Sequence, residues 1–116
     1  MELDKHYNLD YIRSISNGDE GFVSDMILTF ISNVPEELNK IKSLVDHKNW
    51  KSAGQMAHKF ASNLLLMEIK DLIGIAIEIE ENGLNDINVE KIPDLYEILE
   101  KGCYQIINEL RRDFNV

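Results

Sequence analysis

The chain is poor in almost everything that staples or punctuates a fold. It has one cysteine, Cys103, so no internal disulfide can form. Two prolines and six glycines in 116 residues leave little material for many tight turns. That scarcity excludes a sandwich or barrel of short strands and favours a few long helices. The longest unbroken run of apolar side chains covers only residues 64–67, far short of the roughly 20 residues a membrane-crossing helix needs. Positive charge is scarce too: twelve basic against twenty-one acidic side chains give a net charge of −9. Such a surface repels nucleic-acid phosphates and anionic lipid headgroups, so neither nucleic acid nor membrane is expected as a partner. No positively charged start leads into an apolar run, which makes the cytoplasm the expected location. With no repeat or linker-like stretch, a single domain spanning 1–116 is expected. At this length folding buries roughly two-thirds of the unfolded chain's surface without metal or disulfide staples.

What is present is helical periodicity. Asn8 is placed to cap a short opening helix ending near Ser16, with Leu9, Ile12 and Ile15 on one face, before the turn-rich residues 17–21. Phe22, Met26, Phe30 and Val34 then recur every four residues, and Leu38, Ile41 and Val45 continue the stripe past Pro35, which either kinks the helix or opens its continuation. A third helix is capped by Asn49, with Trp50, Ala53, Ala57, Phe60, Leu64 and Met67 inward. In the fourth segment Ile73, Ile75, Ile77 and Ile79 alternate as in a strand, but no second alternating run exists to pair with it. It is therefore read as a helix, ended by a left-handed Gly83. A fifth helix starts near Pro93 and buries Leu95, Leu99, Cys103, Ile106 and Leu110, with Arg111 and Arg112 at its negative end. The expected fold is all-α: an antiparallel up-down four-helix bundle with a short N-terminal covering helix.

Several chemistries lack their parts. There is no H-E-x-x-H, no cysteine pair and no G-x-x-x-x-G-K, so zincin, zinc-ribbon and P-loop sites are excluded. Glu78, Glu80 and Glu81 read as a solvated face, because a carboxylate-bridged bundle metal site needs Glu-x-x-His motifs that are missing; no metal and no cofactor are expected. Cys103, on an inward stripe, reads as core. His47 suits a helix C-terminus, and His6 falls in a loose leading segment.

His58 is different. It points about 130° away from the centre of its helix's apolar stripe, so its ring reaches solvent. Its neighbours one turn away, Gly54, Ala61 and Ser62, are small, and Leu65 adds an apolar spot two turns on. One reading is an open shelf on which a partner's active site closes over the imidazole, with Gly54, Gln55, Ala61 and Leu65 as docking surface; Gly54→Gln would then cover the imidazole and leave the fold intact. The other is that Gly54 and Ala61 let a neighbouring helix approach and His58 is an ordinary surface residue.

The segment Phe30-Ile31-Ser32-Asn33-Val34-Pro35-Glu36-Glu37-Leu38, then Lys48-Asn49-Trp50, then Met56-Ala57-His58-Lys59-Phe60 resembles the histidine-containing phosphotransfer (HPt) domains of multistep two-component relays. The resemblance implies that His58 accepts a phosphoryl group from the phospho-aspartate of a receiver domain and passes it to another receiver. Partners would be receivers of response regulators or hybrid sensor kinases. Magnesium would sit in the receiver, and the chain would be a monomeric phosphocarrier rather than an enzyme. A histidine, with a reference pKa of about 6.5, is well suited to act as nucleophile near neutral pH. The family often carries lysine and glycine three and four residues after the histidine. Here Ala61 and Ser62 stand instead, leaving Lys59 and Ser62 as the groups to meet the phosphoryl oxygens, and Glu68 stands where a glycine commonly ends the motif. The alternative expectation is an HPt-like adaptor that docks without transferring phosphate.

Overall fold

The computed structural model describes residues 6–116; residues 1–5 of the expected domain lie outside the described residues. Every regular element among those described is helical: α1 (Asp10–Ser16), α2 (Glu20–Asp46), α3 (Trp50–Leu66), α4 (Lys70–Asn85) and, after a 3-10 turn at Val89–Lys91, α5 (Ile92–Phe114). α2 packs against α3 and α5, α4 packs against the same two, and α1 lies on α2. The long helices close around one core in which Leu38, Ile41, Phe60, Leu64, Ile79 and Leu99 are fully shielded. None of the described helices is long and apolar enough to cross a membrane.

Local signals place most of the helix ends. The N-cap of α1 is Leu9, one residue after the expected Asn8, whose side chain accepts the Asp10 amide at 2.8 Å. Asn49 stands at the N-cap of α3, although its carbonyl, accepting from the Ala53 amide, does the bonding and its side chain does not. Pro93 is the second residue of α5, where a missing amide hydrogen costs nothing.

Three expectations are corrected. The buried stripe of α2 is Val23, Ile27, Phe30, Val34, Leu38, Ile41 and Val45, with Phe22 37% exposed and Met26 only partly covered. A strict four-residue row drifts about 40° per step around a helix of 3.6 residues per turn, whereas steps alternating between three and four stay on one face. The helix runs through Pro35 as one element. On α1, Leu9 and Ile12 are buried but Ile15 is exposed. Gly83 does not end α4: the helix continues to Asn85, and Asp86 takes the left-handed conformation at φ 52°. Gly83 lies inside the helix for a different reason, a helix crossing described next. The isoleucine alternation in α4 resolves as a wide contact arc, with Ile79 buried, Ile73 and Ile75 half-buried and Ile77 exposed.

Candidate functional site

The site begins with two glycines. A Cβ on Gly83 would lie 2.3 Å from the Trp50 carbonyl oxygen, and a Cβ on Gly54 would lie 2.9 Å from the Glu80 carbonyl oxygen and 3.1 Å from the Leu84 amide nitrogen. α3 and α4 therefore meet backbone to backbone, which only residues without side chains permit. The shelf reading of Gly54 is corrected accordingly: it is buried against α4, and the space it leaves is filled by the neighbouring helix. Gly54→Gln would wedge the helices apart instead of sparing the fold. Ala61 is likewise half-buried against the core.

The close approach brings a carboxylate to the histidine. His58 projects outward with 70% of its side chain exposed, and its Nδ1 lies 2.8 Å from Oε2 of Glu80 on α4. The Glu80 side chain is 22% exposed, tucked behind the ring. A carboxylate oxygen can only accept, so Nδ1 carries the hydrogen and donates it. Nε2 is then the unprotonated nitrogen of the neutral ring, on the side away from Glu80, and it has no hydrogen-bond partner among the described residues.

The remaining expected residues separate into two sets. Lys59, Gln55 and Ser62 are exposed, and the Ser62 hydroxyl donates to the Lys59 carbonyl at 2.8 Å. Leu65 is 58% exposed and lines a groove of about 620 Å³ with Tyr11, Ser62, Leu66 and Ile73, at whose edge Glu68 and Lys70 stand. The other histidines are engaged elsewhere. His47 places Nδ1 2.7 Å from the Ser43 carbonyl at the end of α2. His6, expected in a loose segment, places Nδ1 2.6 Å from Glu109 of α5. Cys103 is buried, and burial pushes its thiol up to about 12, so it is not a nucleophile at neutral pH. Among the described residues no group of three His, Cys, Asp or Glu side chains could hold a metal ion.

Glu80 is the residue that reading the sequence missed, because it sits in a run of acids that looks solvated. A signal was nevertheless present. His58 stands eleven residues before Ile69 and Glu80 eleven after it, and Ile69 lies in the turn between α3 and α4. In a hairpin of two antiparallel helices, residues equidistant from the turn are neighbours. Leu65 and Ile73, which share the groove, obey the same rule, and Gly54 and Gly83 obey it to within one residue.

A helical bundle with a solvent-facing imidazole in the middle of a long helix, held from behind by a carboxylate of the neighbouring helix, is the class that fold and site together define. The family model of the Hpt domain matches residues 25–112. The chain belongs to that family, whose members act in phosphorelays with receiver domains. No curated protein and no solved structure matches the chain.

Proposed function

We propose that this chain is a histidine phosphocarrier: Nε2 of His58 takes a phosphoryl group from the phospho-aspartate of one receiver domain and gives it to another. The observation that carries the reading is the orientation of the ring, outward and bonded through Nδ1 to Glu80. Attack needs an in-line lone pair, and fixing the hydrogen on Nδ1 leaves that lone pair on Nε2, where a partner can reach it. The bundle supplies position. Charge neutralisation, including magnesium, falls to the receiver, so the chain is not by itself a kinase. In this reading the four long helices run alternately up and down, α1 covers one end, and the protein works as a monomer in the cytoplasm.

The docking face runs from His58 and Gln55 along α3 to the apolar groove at Leu65, Tyr11 and Ile73. In this reading Lys59 and Ser62, both exposed, meet the incoming phosphoryl oxygens; the Ser62 hydroxyl can rotate away from the Lys59 carbonyl to donate there. A second reading is an adaptor that docks without transfer: Ala61, one turn after His58, brings no charge to meet a phosphoryl group. Incubation with a phosphorylated receiver separates the two. Acid-labile, alkali-stable label on the native chain, absent from His58→Gln, supports transfer; stable binding with no label supports the adaptor.

A further inference from the structure

The contact between Glu80 and His58 has consequences after transfer as well as before it. When the Nε2 lone pair attacks phosphorus, the bond from phosphorus to the aspartyl oxygen breaks and its electron pair stays on the departing carboxylate. The ring then holds a phosphoryl group on Nε2 and the original hydrogen on Nδ1, and it is cationic. If Nδ1 loses that proton, breaking the P–N bond would have to expel an imidazolate, a poor leaving group. If Nδ1 keeps it, the electron pair returns to Nε2 and neutral imidazole departs.

We propose that Glu80 keeps the Nδ1 proton on the ring throughout the cycle, so that transfer into and out of His58 needs no proton relay and the phosphohistidine is held in its short-lived, transfer-ready form. The inference rests on the carrier reading above and assigns Glu80 as a positioning residue. Its geometry is that of a charge-assisted hydrogen bond, 2.8 Å from nitrogen to oxygen. Once the ring is cationic the carboxylate opposes loss of the proton. Glu80 is the ring's one ion-pair partner among the described residues, and Lys51 lies two turns before it on the same face of α3. α4 carries Glu81 beside Glu80, α3 carries Lys59 about 100° round from His58, and on α2 Glu37 is taken up by Asn63, about 140° round.

The test removes the receiver, so its outcome is independent of whether the chain is a carrier in a relay. A His6→Gln, His47→Gln chain leaves His58 as the one histidine to react with phosphoramidate, and phosphorus NMR follows hydrolysis of the P–N bond across pH. With Glu80 in place the fall of hydrolysis toward high pH should lie about one unit higher than in Glu80→Gln, so that at pH 8 the native pairing hydrolyses about tenfold faster. A nitrogen-edited spectrum of the phosphorylated ring should show the Nδ1 hydrogen lost about one pH unit later with Glu80 than without it. Coincident pH profiles, or an Nδ1 hydrogen equally absent from both proteins, would overturn the proposal. A merely structural role for Glu80 would leave the pH profile in place.

Discussion

The two sides of α3 are built in opposite ways. Toward α4 it presents Gly54, and the helices touch through backbone atoms. Elsewhere the core relies on bulk: Leu38, Ile41, Leu99 and Phe60 are shielded completely, and the Tyr96 hydroxyl of α5 reaches the Leu38 carbonyl of α2 at 2.9 Å. Side-chain packing of the second kind sets stability, because each buried leucine or isoleucine contributes roughly 1.5–3 kcal/mol. Backbone contact of the first kind sets distance. It tolerates no extra atoms, and it is what carries Glu80 to the back of the His58 ring. Stability and site geometry therefore reside in different helix pairs and should respond separately to mutation.

The largest stability change is expected from the bulky side. Leu99→Ala should cost about 2–5 kcal/mol in chemical unfolding while leaving the His58 ring signals of the folded protein unchanged. Gly83→Ala should cost less, about 1–3 kcal/mol, yet disturb the site more, since its methyl group meets the Trp50 carbonyl and must separate α3 from α4. NMR of the His58 ring should then report a lengthened bond to Glu80. Unfolding costs in the reverse order, or a ring signal that follows Leu99 and not Gly83, would break the division. Glu68 gives an effect of the other sign. It follows the C-cap of α3 with φ 52° and keeps Oε2 buried with no hydrogen-bond partner among the described residues, so Glu68→Gly should stabilise the fold by about 1 kcal/mol in the same measurement. Smallest of all is Glu80→Gln, expected to change unfolding free energy by less than about 1 kcal/mol because its partner is exposed. Its effect belongs to the chemistry and not to the fold.

This division also explains what could be read in advance. Helices α1, α3 and α5 start within about two residues of the predicted positions; Asn8 and Pro93 act locally and need no tertiary partner, whereas the Asn49 side chain makes no capping bond. The outward direction of His58 followed from the apolar stripe of its own helix. The α2 stripe slipped because a four-residue repeat was followed past the point where it leaves the face. Glu80 and the purpose of Gly54 were hidden for a different reason. Both depend on what α4 places opposite α3, and the periodicity of one helix says nothing about its neighbour. Only the symmetry about Ile69 carried that information, and using it required accepting that α4, with its strand-like isoleucines, was a helix.

The central claim concerns a single atom, Nε2 of His58, left available because Nδ1 is held by Glu80. Phosphorylation by a phospho-receiver, followed by phosphorus and nitrogen NMR of the intact product, identifies the nitrogen that bears the group. The account predicts one phosphoryl group per chain, bonded to Nε2 of His58. A phosphoryl group on Nδ1 or on any other residue, or no covalent label despite binding, would contradict it.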